Sequence, residues 1–347
     1  MRTFAMDRRK KVTIKDIAKI AQVSYSTVSR CLNGSELVSE DTRQKVLKIA
    51  EETGFGFNAS ARGLSTNRQN VIGLVLPENY QDFNVSLYHS GLLTHVRSSL
   101  ERMNYDLMVT FLTNRYTGQN SIQRLVREGK VDGLIMLQQN LSVEMLQFLY
   151  ERRFPVVFSH YPVHYQDYGI VNVYSDNLAG GALVADRFIS CGRKKALCLS
   201  SLPEDIDCAQ RMEGFRSRFE ERGGEVAGVL KAGSRSFSAG YELVVRGEDR
   251  LREIDCLFAV NDLMALGAMK RIRELGLGIP EDIALVGYDD SPLVRFNTPG
   301  LTSVNQHQDE IALLTCEKLI RFIEQGSSEG MEQNVQIKPE LVIRESC

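Results

Sequence analysis

From Val71 onward, short apolar runs alternate with amphipathic stretches of helical length, and this alternation restricts the fold more than any other feature. The runs are "VIGLVL", "YDLMVTFL", "VDGLIML", "FPVVFSH", "IVNVY", "KALCLSS", "VAGVL", "IDCLFAV" and "IALVGY", separated by segments such as "SIQRLVREG" and "MEGFRSRFEERG". Strands apolar on both faces belong to parallel sheets covered by helices on each side. So many strands in so few residues exceed one comfortable sheet. The expectation is two α/β subdomains, with a ligand crevice at the carboxyl ends of their strands.

The first 70 residues read differently. Residues 1–68 carry thirteen Lys and Arg against seven Asp and Glu, a net +6 in a chain whose total is −2. A basic head on an acidic body suits a polyanionic partner, although charge alone does not separate that from a solvated basic N-terminus. Three short helices are expected within residues 12–53. Thr13 caps the first, with Asp16 in the capping-box position and Ile14, Ile17, Ala18 and Ala21 inward. Ser24 caps the second, which runs through Asn33 to a stop at Gly34. Ser39 caps the third, with Val46, Ile49 and Ala50 inward and Gly54 at its end. The segment that follows, "GFGFNASARGLSTNRQN", has too little apolar content to pack by itself.

Within the second helix, Val28 and Leu32 are expected to face the first helix, while Tyr25, Ser26, Thr27, Ser29 and Arg30 face out. Two helices joined by a tight turn, the second polar outside, form a helix-turn-helix whose second helix fits the DNA major groove. Short hydroxyl side chains, one arginine and one asparagine suit close approach to base edges and phosphates. A small helical bundle that binds protein remains open on this pattern alone.

The 347-residue chain is 43% hydrophobic and 25% charged, ordinary for a globular protein, and no apolar run approaches the roughly 20 residues that span a bilayer. The basic "MRTFAMDRRKKV" is followed by "TIKDIAKIAQ" rather than an unbroken apolar stretch, so no signal peptide is expected. Seven scattered cysteines without a C-x-x-C spacing argue against disulfides and zinc, and for a reducing cytoplasm.

Taken in order, "VTIKDIAKIAQVSYSTVSRCLNGSELVSEDTRQKVLKIAEETGF", "NASARGLSTNRQNVIGLVLP", "SDNLAGG", "QRMEGF", "AVNDLMALGAMKRIRELGLGIPEDIALVGYDDSP", "LTSVNQ" and "PELVIRES" resemble the lactose/galactose repressor family of bacterial transcription regulators. The resemblance covers nearly the whole chain. It implies an all-α helix-turn-helix head at 12–57, a hinge helix at 58–69, and a periplasmic-binding-protein-like effector region. That region's first subdomain would comprise 70–172 with 303–325, and its second 173–302 with 326–347. The implied partners are a double-stranded DNA operator, a small-molecule effector of the sugar class and a second copy of the chain, with no cofactor and no membrane. The closing "PELVIRES" leads into no heptad segment, so a coiled-coil tetramer is not expected.

Residue by residue, Tyr25 and Ser26 match the positions that most affect operator choice. Thr27, Ser29, Arg30 and Asn33 match positions on bases or phosphates, and Thr13 and Ser24 complete the DNA-facing set. Asn58, Ala61 and Leu64 match the hinge helix, with Leu64 at the apolar wedge that enters the minor groove. The chain departs from the family at "FGFN", where Phe57 replaces a proline. In the effector region Arg211, Asn261 and Asp289 match ligand-binding polar positions, and Phe237 is the candidate aromatic wall. Asp262 either contacts ligand or caps a helix, and His160 either reads the ligand or hydrogen-bonds within the hinge. Tyr80 and Phe83 are looser aromatic candidates.

Enzyme readings find no support in the motifs. The chain has no phosphate loop, and the adjacent Asp289 and Asp290 do not converge on one ion unaided. A solute-binding protein for transport would lack the basic head and would carry a signal peptide.

Overall fold

The computed structural model describes residues 12–32, 37–53, 55, 68–78, 83–137, 141–160, 168–201 and 205–347, with 83–86 as backbone only. The chain divides into two compact units, Met1–Gln69 and Asn70–Cys347.

The first unit contains α1 (Ile14–Ala21), α2 (Tyr25–Leu32) and α3 (Glu40–Glu52). Asp16 turns back on the start of α1, its Oδ2 accepting from the Thr13 N–H at 2.8 Å and the Thr13 hydroxyl at 2.7 Å. Gln22, in the left-handed conformation, ends the helix. The core consists of Ile17, Ala21, Val28, Cys31 and Val46, with Ile14, Ala18, Leu32 and Ile49 packed around it. On α2 the second buried residue is thus Cys31, three positions after Val28, and the expected Leu32 sits at the margin. Gly34 and Gly54 lie outside the described residues.

The second unit builds two six-stranded sheets. Strands β1 (Val71–Leu76), β2 (Asp106–Phe111), β3 (Gly133–Met136), β4 (Val156–Phe158), β5 (Val171–Ser175) and β11 (Asn334–Ile337) form the first, in the order β11-β5-β4-β3-β1-β2. Strands β6 (Lys195–Ser201), β7 (Glu225–Ala232), β8 (Cys256–Ala259), β9 (Ala284–Tyr288), β10 (Thr302–Asn305) and β12 (Glu340–Val342) form the second, in the order β12-β10-β9-β8-β6-β7. Every pairing is parallel except β10 with β12.

Helices cover the sheets: α4 (Phe83–Arg102), α5 (Ser121–Arg127), α6 (Val143–Glu151) and α11 (Gln308–Gln325) on the first, and α7 (Asn177–Ser190), α8 (Ile206–Glu221), α9 (Phe237–Arg246) and α10 (Asp262–Glu274) on the second. No helix among the described residues is long and apolar enough to cross a membrane.

All nine apolar runs contribute strands. The three strands not expected, β10, β11 and β12, are the short "TSVN", "NVQI" and "ELV", whose polar residues break any apolar run. Their pairings move the subdomain boundaries. β5 and β11 belong wholly to the first sheet and β10 to the second, so the chain crosses between sheets near 176, near 306–307 and near 338–339. The expected crossings at 172/173, 302/303 and 325/326 are corrected accordingly, most of all the last, because residues 334–337 pair with β5.

Glycines set the helix spacing on the second sheet. A Cβ on Gly181 of α7 would strike the Arg211 carbonyl of α8, and one on Gly214 of α8 would strike the Leu178 carbonyl of α7. Gly240 of α9 and Gly267 of α10 stand in the same relation to Met264 and Phe237. Backbone thus packs on backbone in both pairs, which holds Arg211 against the start of α7.

Candidate DNA-reading head and effector cleft

The N-terminus of α2 is organised by hydroxyl groups. Ser24 Oγ accepts the Thr27 N–H at 3.0 Å, and it pairs with the Ser26 hydroxyl at 2.7 Å and the Thr27 hydroxyl at 2.8 Å. Ser24 thus caps α2 while remaining exposed, and Thr13 is likewise engaged with Asp16 at the start of α1. Tyr25, Ser26 and Arg30 are exposed, while Thr27 and Ser29 are half-buried. The exposed set includes Tyr25 and Ser26, the two positions matched to operator choice. Asn33, Asn58, Ala61 and Leu64 lie outside the described residues. Ser24→Ala is expected to cost the head about 1 kcal/mol through loss of the cap. Urea unfolding of the full chain, followed by a probe in the head, measures it.

In the second unit Arg211 lies in the second turn of α8, not at its opening, and is 5% exposed. Its Nε donates to Asn177 Oδ1 at 3.0 Å, and its Nη1 to the Val260 carbonyl at 2.7 Å and to Asp289 Oδ1 at 3.3 Å. The guanidinium lies over the Tyr288 ring, 3.9 Å from the centroid. Burial works most strongly against its charge, but the Asp289 carboxylate together with Tyr288, Cys208 and Asp207 outweighs it, and the pKa is raised.

Asp289 also accepts from Gln306 Nε2 at 2.6 Å. Burial raises its carboxyl above the ordinary value, with the charges of Arg211 and Arg235 opposing. Asp289 and Asp290 occupy successive positive-φ positions, +104° and +46°, that non-glycine residues rarely adopt. Arg344 and Arg295 hold the Asp290 carboxylate, so the two adjacent acids face different partners.

Asn261 is the N-cap of α10. Its Oδ1 accepts the Met264 N–H at 3.0 Å and its Nδ2 donates to the Arg235 carbonyl at 2.9 Å. Asp262 is therefore not the cap. Its buried carboxylate accepts the Ser291 N–H at 2.7 Å and the Ser303 hydroxyl, tying α10 to β10. Burial, then the Asp289 charge, pushes its pKa well above the usual carboxylate range.

A cavity of about 340 Å³ separates the two lobes, with Tyr88 and His95 of α4 on one side and Asn261, Asp289, Ser291 and Arg295 on the other. His160, two residues beyond β4, is buried with its ring edge-on to Phe158 at 5.2 Å. Phe237 opens α9, is 39% exposed, and does not line this cavity. Tyr80 and the Phe83 side chain lie outside the described residues.

Sequence reasoning passed over four residues. Tyr88 is the aromatic that α4 brings to the cleft, and the Asp289 and Arg211 charges reach its buried hydroxyl. One turn on, Gly91 lets Gln308 pack so closely that a Cβ would strike its amide oxygen, and Gln308 Nε2 donates to the Tyr88 carbonyl at 3.2 Å. Gln306 and Asn177 complete the Arg211–Asp289 network. Arg235 follows β7 as Asn261 follows β8 and Asp289 follows β9, and this strand-end position was the available signal. Among the described residues no group of three or more His, Cys, Asp or Glu is placed to hold a metal.

Comparison with known proteins agrees with both units. Residues 13–58 match the family of bacterial regulatory proteins, lacI family, and residues 185–347 match a periplasmic binding protein-like domain. The HTH-type transcriptional regulator CelR of Thermobifida fusca is 29% identical over 98% of this chain and 100% of its own. A solved complex of CelR with cellobiose superposes at a TM-score of 0.70 with 27% identity, over 97% of this chain and 100% of that one. The lac repressor dimer bound to operator and the anti-inducer ONPF shares the fold, at a TM-score of 0.81 and 22% identity over 97% of this chain and 99% of that one. The HTH-type transcriptional repressor PurR of Haemophilus influenzae is 31% identical over 96% of this chain and 98% of its own. With that identity along its whole length, and the regulator head and effector fold both in place, the chain belongs to the lacI family of bacterial regulatory proteins and is a DNA-binding transcription regulator.

Proposed function

We propose that this regulator acts in the cytoplasm as a homodimeric repressor of a palindromic operator, released or engaged by a sugar-class effector held between its two lobes. The observation that carries the effector reading is the Arg211–Asp289–Gln306 network. A buried guanidinium from α8, hydrogen-bonded to a carboxylate at the carboxyl end of β9, presents donor and acceptor together, as a ligand with neighbouring hydroxyl groups requires. The solved complex of CelR with cellobiose supports the same class. In this reading Tyr25, Ser26 and Arg30 read bases, Thr27, Ser29 and Asn33 hold the backbone, and Asn58, Ala61 and Leu64 form the hinge that widens the minor groove. The effector shifts DNA affinity only by its preference for one lobe arrangement over the other.

Selection of the full-length protein on random duplexes tests the DNA half. A palindrome with two equivalent half-sites is the expected winner, bound with an affinity that falls steeply between 50 and 200 mM salt, by about 10³ or more if some six phosphates are contacted. Enrichment without palindromy would refute the dimeric reading. An unchanged preference in a Tyr25/Ser26 double alanine variant would refute the placement of the reading helix.

A further inference from the structure

Four strand ends of the second sheet bring Asp205, Arg235, Asn261 and Asp289 together with Arg211 of α8. Asp205 follows β6 and caps α8, accepting the Cys208 N–H at 3.2 Å. Arg235 follows β7, and its Nη1 reaches Asp205 Oδ2 at 3.2 Å and Cys208 Sγ at 3.9 Å. Asn261 follows β8 and fixes the Arg235 backbone through its carbonyl. Asp289 follows β9 and holds Arg211, three residues beyond Cys208 on α8.

The two guanidinium groups differ in what they have left to offer. Arg211 is 5% exposed, and its Nε and Nη1 are committed to Asn177, Val260 and Asp289. The Arg235 side chain is 27% exposed and bound through Nη1 alone, so among the described residues its Nε and Nη2 donate to no protein group. That free edge of a planar fork matches two oxygens of a carboxylate or phosphate. The bound Nη1 edge reaches Asp205 and Cys208 at the N-terminal turn of a sixteen-residue helix, where backbone dipoles favour negative charge. Asp205 occupies the cap, yet it satisfies only one edge of the fork. A pair of neutral hydroxyls can meet the two donors only without charge assistance, whereas a carboxylate or phosphate meets both as an anion, in hydrogen bonds about twice as strong.

We propose that the effector of this regulator is an anionic sugar derivative whose carboxylate or phosphate binds the open edge of Arg235. The inference rests on the sugar-class reading above and narrows it.

Calorimetric titration of the full-length protein with matched neutral and acidic sugars tests it: glucose, galactose and cellobiose against glucuronate, galacturonate, gluconate and glucose 6-phosphate. The expected result is an acidic sugar binding at least about tenfold more tightly than its neutral counterpart, since a charge-assisted bidentate pair is roughly twice as strong as a neutral one. The carboxylate and phosphate arms then identify the source of the anion. Arg235→Gln should remove that preference, bringing the ratio of acidic to neutral sugar affinities down to about one or below. Arg235→Lys, which keeps the charge beside Asp205 but lacks the fork, should recover only part of it. A neutral sugar binding most tightly, with Arg235→Gln indifferent, would overturn the inference and leave Arg235 as a partner for Asp205; the sugar reading would stand. No binding by any sugar, from protein that still selects its operator, would remove the sugar reading and this inference with it.

Discussion

Gly214→Val is expected to cost the effector region more than about 3 kcal/mol and to abolish the effector response in whatever fraction stays folded. At this position the added Cβ meets the Leu178 carbonyl, and the reciprocal glycine, Gly181, already lies against the Arg211 carbonyl. Neither obstacle is a side chain that can rotate away, so α7 and α8 must separate. Overpacking that a core can absorb costs about 1–3 kcal/mol, and here the backbone itself has to move. Separation also draws Arg211 from Asn177, whose amide at the start of α7 orients the guanidinium. Urea unfolding gives the stability loss, and titration with the identified effector gives the response. A valine variant of unchanged midpoint and normal response would show that the two helices have slack that their spacing does not suggest.

The second large effect is expected at Arg211. Truncation to alanine leaves Asp289 buried beside Gln306 with its compensating charge gone, and it strips a donor from the Val260 carbonyl. Removing one partner of a buried ion pair typically costs about 3–5 kcal/mol, because the other charge stays desolvated. Arg211→Ala should therefore lower both stability and effector affinity. The two losses are separable: at a temperature where the variant is folded, operator affinity without effector should match the parent, since the head is a different compact unit. Effector titration by gel shift should then show no response at concentrations that saturate the parent. A response at parental concentrations would place the effector site elsewhere.

How far the sequence could be read depended on whether a residue's role was local. The capping box at Thr13 and Asp16, the Ser24 cap and the nine apolar strands are decided within a few residues of chain, and all were legible. So were the strand-end positions of Asn261 and Asp289. Roles that depend on distant partners were not. The sequence places Asn261 at the cleft, where it lines the cavity, but does not reveal that its amide also caps α10 and holds the Arg235 carbonyl, 26 residues away. Asp262 serves β10, 41 residues further on, through Ser303. Arg235 was hidden because the search was for an aromatic ring, and Phe237, two residues later, drew attention from the strand end. The short strands β10, β11 and β12 carry six polar and five apolar side chains between them, and only their pairings reveal them.

Those last two strands have a consequence for how the effector region can come apart. β11 closes the edge of the first sheet and β12, three residues later, closes the edge of the second. The chain therefore laces the two lobes together like a seam whose final stitches alternate sides. Neither lobe owns a continuous stretch of sequence, and neither has all its strands until residues 334–342 have found two separate destinations. Loosening that one short segment frees an edge of both sheets at once, so damage beginning in either lobe is passed to its neighbour through the thread they share.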